Sequence, residues 1–542
     1  MLSHFFVGAA RPATARERLL VWGFFIGLLL LGLWLVDDYG ISFDEMQSHM
    51  NGMVSLNYLS ERFFPEFVTT RPEFDYIKNF PLVSYYDRDY GVAFELPVTF
   101  IEQALRLTDP RAKYLLRHTC TFLVCLGGVG AVYGLARRRF ASWRLGLLAA
   151  LLLVLSPRLF AESFYNDKDA VFMALFAIAT NTGAALLARP TWGRVGWHAL
   201  ACALTIDVRI MGVILPLATL FVGALQAGRG AYRNLHPLPK AAAYGALLAA
   251  LTVLCWPYLW DAPGPLFVQA FRNMAQFRWG DRVLYRGELI PATALPWHYP
   301  LVWIGITTPL PYLVGFGVGV GATLRRAGRR GWRLYATNGE WQDLFFLGLT
   351  LAPLAAVIGL HSVLYDGWRQ LYFVYPTLLL LAVRGLVALG RWRPRWLTSG
   401  RWRGLVRVGL GVSLLATAVQ MAMMHPLQNV YFNWLAGPDA AERYEMDYWM
   451  LSYRQGLEWI VRHDNRLHIK VNSHIRNSLE ANCWLLPDYD RSRLEVVADT
   501  DTADYYLTTY RWHPQPYTEY PWEVHTIARG GHRVLSIFRT KW

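Results

Sequence analysis

The chain has 542 residues, of which 54% are hydrophobic and 17% charged, with a mean hydropathy of +0.21. This balance excludes an ordinary soluble globular protein, because the surplus apolar surface needs lipid. The formal charge of +14 admits nucleic acid, an anionic membrane surface or an anionic substrate, and the placement of the basic residues decides among them.

The first apolar run, Leu19 to Val36, follows Arg11, Arg16 and Arg18 and suits a membrane-crossing helix with a cytoplasmic N-terminus. A cleaved signal peptide is the rival reading. The run ends in LWLVDDYG, where a signal peptide would end in small residues, which favours an anchored helix. Further runs lie near 117–135, 144–156, 169–188, 195–206, 211–227, 241–259, 300–323, 344–362, 373–390 and 404–422, so about eleven spans are expected. Val195 to Ile206 is short and could instead join Met211 to Gln226 in one long helix. Parity decides. If it crosses, the basic clusters that begin at Arg137, Arg189, Arg325 and Arg391 all lie inside; if it does not, the last two fall outside. Two passes are therefore counted. Much of the net charge is then orientation and headgroup contact, and nucleic-acid binding needs no separate hypothesis.

Two polar regions face outward in this topology. The stretch 37–118, rich in Tyr, Phe and Pro, holds short amphipathic pieces such as Phe94 to Leu107. The tail 425–542 alternates helical patterns (Leu451 to Val461, His474 to Leu486) with strand-like runs (LHIKV, LEVV, DYYLTTY, RVLSIF), which predicts a small extracytoplasmic α/β domain behind a transmembrane part, 1–424. Among the five Cys, Cys120, Cys125, Cys202 and Cys255 fall in or beside apolar stretches and Cys483 lies in the tail; no disulfide or zinc spacing emerges. No fixed-period repeat occurs.

Several constellations carry chemistry. Asp44 and Glu45, in ISFDEMQSH, stand just beyond the first helix and are either reactive carboxylates or solvated interfacial acids. SPRLFAESFYNDKDA, from Ser156, reads as a short loop carrying Arg158, Glu162, Asp167, Lys168 and Asp169, a costly concentration of charge at membrane depth unless paired or liganded. Asp207 and Arg209 interrupt an apolar stretch, as a local ion pair or as ligands. Arg272, Arg278, Arg282 and Arg286 precede PWHYP with His298. Cations among aromatics suit an anionic headgroup carrying a sugar, although such residues also simply sit at the interface. His361, Tyr365, Asp366, Trp368 and Arg369 fill a short connection between two spans, and these loops could converge on one cleft. No P-loop, dinucleotide fingerprint, HExxH or serine nucleophile elbow occurs.

The FDE-type motif at Phe43–Glu45, the second acidic segment ESFYNDKD, and the tail segments HPLQNVYFN and YEMDYWMLSYRQGLEWI resemble the polyprenyl-phosphate-dependent GT-C glycosyltransferases. The resemblance is to the branch of protein O-mannosyltransferases and the lipid A aminoarabinose transferase. It implies a GT-C-like polytopic fold and transfer of a sugar from a polyprenyl-phosphate donor to a glycan, lipid or protein acceptor, with inversion. It also implies an integral bacterial inner-membrane protein. A phosphate leaving group needs a base and cations but no dedicated acid. By carry-over, Asp44 matches the first-loop acid that serves as base or acceptor-positioning group, with Glu45 its neighbour. Asp167 and Asp169 lie in the second acidic motif, where either aligns. Lys168, Arg209, Arg282 and Arg369 are candidates for phosphate contact by charge and topology, and His298 for facing the donor. A divalent cation held by Asp44 and a second-loop acid such as Asp167 is an option, because some relatives need a metal. The rival class is a transporter or flippase of a lipid-linked or anionic substrate, which would place its ionisable groups nearer the bilayer midplane.

Overall fold

The computed structural model describes residues 14–232, 235–275, 279–392 and 397–541; Arg11, Arg278, Arg393 and Arg395 lie outside them. The chain is a polytopic α-helical membrane protein with a small C-terminal sheet. Among the described residues, eight helices are long and apolar enough to cross a membrane: Ala15–Asp38, Pro110–Phe140, Asp169–Ala188, Ile210–Gly228, Pro237–Cys255, Asn338–Gly359, Arg369–Arg391 and Ser399–Met424. Trp143–Val154 and Pro157–Tyr165 are together long and apolar enough for a ninth, with 73° between them. The short run becomes the 17-residue helix Trp192–Val208. The run 300–323 is broken into Tyr299–Thr307 and Leu310–Arg330, because Pro309 lacks an N–H and forces Thr308 into an extended conformation.

Local chemistry starts these helices. Thr14 forms a capping box with Glu17, and the side chains of Asp109, Ser142, Thr191, Thr337 and Thr398 each accept a first-turn backbone N–H, each worth about 1 kcal/mol. SPRLFAESFY, expected as loop, is helical from Pro157 to Tyr165 and buried along its length. Its charges are tolerated because they are paired: Arg158 Nε donates to the Tyr431 carbonyl (2.9 Å), and Glu162 accepts from Tyr372 (2.8 Å) and Asn166 (2.7 Å). The expected amphipathic piece appears as the helix Glu95–Ala104.

The helices Leu310–Arg330 and Tyr375–Arg391 meet backbone to backbone. A Cβ on Gly319 would strike the Leu381 carbonyl, and one on Gly385 the Gly315 carbonyl, the small-residue packing that lets membrane helices approach closely. Gly319→Ala is expected to cost about 1–3 kcal/mol and to lower the melting temperature of the detergent-solubilised protein. An unchanged melting curve would show that this contact does not hold the pair together.

In the tail, strands β3 (Ile469–Asn472), β4 (Leu494–Val496), β5 (Tyr505–Thr508), β6 (Trp522–Arg529) and β7 (His532–Arg539) form one sheet in the order β4-β3-β5-β7-β6. β3 pairs in parallel with β4 and β5, whereas β7 pairs antiparallel with β5 and β6. The amphipathic helix Ser452–His463 covers it, with Gly456 against Leu507 and Leu535. Between the spans, β1 (Arg282–Tyr285) and β2 (Glu288–Pro291) form a hairpin turned by Arg286 and Gly287 at φ 57° and 93°.

Candidate active site

The segment before Asp44 is clamped by the tail. The Ile41 N–H donates to Asn482 Oδ1 (3.1 Å), Asn482 Nδ2 donates back to the Ile41 carbonyl (3.1 Å), and the Phe43 N–H donates to the Trp449 carbonyl (3.2 Å). Gly40 permits this approach, since a Cβ there would meet Asn482 Oδ1 and the Leu451 carbonyl. Glu45 opens the helix Glu45–Phe63 and turns inward: it is 1% exposed, accepts the Ser42 N–H (2.6 Å) and lies 2.8 Å from His118 Nε2. Its neighbour Asp44 keeps a side chain 17% exposed, so of the two adjacent acids only Asp44 is open to a reactant.

Cations surround that carboxylate. Arg369 Nη1 lies 2.6 Å and Lys168 Nζ 3.4 Å from Asp44 Oδ2. Arg369, 2% exposed, also reaches Asp169 (3.1 Å) and Asp366 (3.2 Å), and its guanidinium lies over the rings of Tyr365 and Trp449. Asp169 in turn pairs with Arg209. Burial alone would raise the Asp44 carboxyl, but Arg369 and then Lys168 outweigh it and hold it well below the usual carboxylate range. Burial likewise opposes the charge on Lys168, and Asp44 overcomes it, holding the ammonium above the usual lysine range.

Asp167 belongs to a separate network. It accepts from Ser48 Oγ (2.9 Å) and lies 3.5 Å from Arg117, which also pairs with Glu95. Burial, then the Glu95 charge, pushes the Asp167 carboxyl well up. The second acidic motif therefore divides by function of position: Asp169 is joined to Asp44 through Arg369, and Asp167 braces the wall beneath Ser48.

The structure thus gathers Asp44, Lys168, Asp169, Arg209 and Arg369 into one cluster. It does not bring in Arg282, which is exposed on β1, or His298, whose ring bonds the Tyr285 hydroxyl (2.7 Å). Asp207 and Arg209 do not pair with each other: Asp207 accepts the Ala93 N–H (2.6 Å), while Arg209 turns to Asp169. Asp44 and Asp167 sit in separate networks, Asp44 with Arg369 and Lys168 and Asp167 with Ser48 and Arg117, and among the described residues no three metal-ligating side chains group together. Sequence reasoning missed Arg117 and Arg511. Arg117 is wholly buried inside the apolar helix Pro110–Phe140, a placement that itself signals a role. Arg511 reaches from the tail to Asp366 (2.8 Å), and nothing local marks it.

An apolar cavity of about 290 Å³ adjoins the cluster, walled by Met211, Ile214, Phe271, Met274, Val357 and Leu360. Arg209, Tyr90 and Tyr365 also line it; Lys168 lies over the Tyr90 ring at 4.5 Å and Arg369 over Tyr365 at 4.7 Å. A largely apolar cavity and the cluster around Asp44 thus meet at Arg209, Tyr90 and Tyr365.

Two solved structures of ArnT from Cupriavidus metallidurans are similar to this chain at 15% identity. The one bound to undecaprenyl phosphate has a TM-score of 0.47, covering 96% of this chain and 98% of that one. The apo one has a TM-score of 0.48, covering 97% and 99%. Among curated proteins, none matches. Residues 117–256 match the dolichyl-phosphate-mannose-protein mannosyltransferase family; over that stretch, which carries Arg117, Asp167, Lys168, Asp169 and Arg209, the resemblance to polyprenyl-phosphate-dependent GT-C glycosyltransferases is borne out.

Proposed function

We propose that the chain is an inverting glycosyltransferase that moves a sugar from a polyprenyl-phosphate carrier to an acceptor hydroxyl at the extracytoplasmic membrane face. The observation that carries this reading is the accessible Asp44 carboxylate, set among Lys168 and Arg369 beside an apolar cavity that ends at Arg209. The prenyl chain occupies the cavity, and the phosphate lies against Arg209, Lys168 and Arg369. The acceptor O–H gives its proton to Asp44, and the acceptor oxygen bonds the anomeric carbon. The bond from that carbon to the phosphate oxygen breaks with its electron pair going to the phosphate. The three cations stabilise the charge that develops there, so no general acid is required. The incoming phosphate also draws Arg369 and Lys168 away from Asp44, restoring basicity to a carboxylate that they otherwise suppress.

Placement at the ends of spans supports transfer over transport. Asp44 follows Ala15–Asp38, Asp169 opens Asp169–Ala188, Arg209 precedes Ile210–Gly228, and Arg369 opens Arg369–Arg391. Their convergence puts these four ends at one face, whereas a transporter needs charges that both faces can reach in turn. With a cytoplasmic N-terminus, that face and the 425–542 domain are extracytoplasmic in an inner membrane, and the 37–118 region lies over the site. Polyprenyl phosphate bearing a diazirine in its isoprenoid chain is expected to label the 210–214, 271–274 and 353–364 segments. Labelling confined to other helices would remove the donor site from this cavity.

A further inference from the structure

A second cavity, of about 390 Å³, lies between the segment 438–448 and the tail loops around 509–514 and 531–533. That volume is in the range of small-molecule sites, ~300–1,000 Å³. Its lining has unspent hydrogen-bonding capacity. Glu445 is 4% exposed, and its carboxyl has only the Leu284 N–H as a hydrogen-bond donor. Thr509 Oγ1, Arg511 Nε and Trp512 Nε1 are buried without partners. Buried polar atoms left unmatched are costly, and those of Thr509, Arg511 and Trp512, beside the under-used Glu445 carboxyl on the same cavity, indicate a ligand whose own polar atoms match them.

The chemistry of the lining narrows the ligand. Donors (Trp512, Arg511) and acceptors (Glu445, Thr509) are interleaved, and a sugar hydroxyl serves both because it donates and accepts. Tyr444, Tyr448, Tyr510 and Trp512 add aromatic surface to the lining, of the kind that packs against the apolar side of a pyranose ring. Phosphate is disfavoured: Asp439, Glu442 and Asp447 outnumber Arg511 and Arg533, and Arg511 is already paired with Asp366. A prenyl or acyl chain would leave the unmatched polar atoms unmatched.

We propose that this cavity binds an uncharged pyranose of a hydroxyl-rich glycan. Burial, then Asp366, pushes the Glu445 carboxyl up to about 8 against the opposing pull of Arg511 and Arg369, so at neutral pH it offers a sugar an O–H as well as an acceptor. The cavity communicates with the cluster: Arg511 bonds Asp366, Asp366 pairs with Arg369, and Arg369 pairs with Asp44. That the bound glycan is the acceptor rests on the glycosyltransferase reading; the binding itself does not.

The test is saturation-transfer NMR on the full-length protein in nanodiscs without donor. The probes are methyl α-mannoside, N-acetylglucosamine, lactose and chitobiose, with glucose 1-phosphate as the anionic counterpart. At least one neutral sugar is expected to bind, with affinity reduced tenfold or more in Glu445→Leu and in Thr509→Val, and glucose 1-phosphate is expected not to compete. Glu445→Leu is also expected to melt no lower than wild type, because it removes a buried carboxyl whose desolvation a single backbone N–H does not offset; a merely structural glutamate would lower the melting temperature. Thr509→Val carries the test should Glu445→Leu not fold. The proposal is overturned if no neutral sugar binds, if both variants bind as wild type does, or if the sugar phosphate binds better. Neutral-sugar binding without any transfer from polyprenyl-phosphate donors would instead overturn the glycosyltransferase reading and leave the cavity assignment standing.

Discussion

Asp44→Asn reduces turnover by about 10²–10⁴-fold, the usual contribution of a positioned general base, while donor affinity stays within a few-fold of wild type or improves. Affinity survives because the substitution removes a carboxylate that competes with the donor phosphate for Arg369 and Lys168. Stopped-flow binding of a fluorescent polyprenyl phosphate, together with single-turnover transfer, separates the two quantities. A rate within tenfold of wild type would remove Asp44 from the chemistry. The same contacts set a pH signature. In the free protein Arg369 and Lys168 depress the Asp44 carboxyl, so its acid limb in kcat/KM lies below the ordinary carboxylate range. In the donor complex the phosphate shares those cations, so the acid limb of kcat lies at higher pH. The stability contributed by these ion pairs is present above the unfolded carboxylate's pKa and is lost as pH falls through the depressed folded value.

Arg369→Met is expected to lower both stability and transfer, because it takes one cation from Asp44, Asp169 and Asp366 at once and leaves Asp44 with Lys168 and Asp169 with Arg209 alone. Removing one partner of a buried ion pair costs ~3–5 kcal/mol, and Asp366 retains only Arg511. Arg369→Lys keeps the charge but not the fork that spans three carboxylates. It is expected to fold, with donor affinity reduced at least tenfold. Thermal unfolding in detergent and donor binding give the two readouts. A wild-type melting temperature for Arg369→Met would mean that this network does not hold the site.

Much of this architecture is legible in the sequence, because apolar length is a local property. All eleven apolar runs are helical, including the broken one at Thr308–Pro309. Asp44, Lys168, Asp169, Arg209 and Arg369 stand out because each is an ionisable residue at the end of an apolar run, where charge is expensive without a reason. What is not legible depends on distance along the chain. Asn482 and Arg511 act on Ile41 and Asp366 from the tail, and nothing beside them in sequence announces it. Arg282 and His298 attract attention for their charge and aromatic neighbours, but Arg282 lies exposed on β1 and His298, before the helix Tyr299–Thr307, bonds the Tyr285 hydroxyl. The Pro157–Tyr165 helix resembles a loop because Pro and charged residues punctuate it, and its tertiary partners supply the pairing that makes helix tenable. Strand β6 is mostly exposed along a sheet edge, so it lacks the buried apolar run that marks β5 and β7.

The central claim is tested most directly by sealed proteoliposomes of defined orientation, loaded on the tail-facing side with a panel of glycan, lipid and peptide acceptors. A radiolabelled sugar is presented on synthetic polyprenyl phosphate, and the label is followed together with the anomeric configuration of any product by NMR. The account predicts label on an acceptor, with the anomeric configuration opposite to the donor's, formed only when donor and acceptor share the tail-facing side, and abolished in Asp44→Asn. Intact labelled lipid appearing on the opposite leaflet, with no acceptor labelled across the panel, would contradict it and make the protein a carrier of lipid-linked sugar.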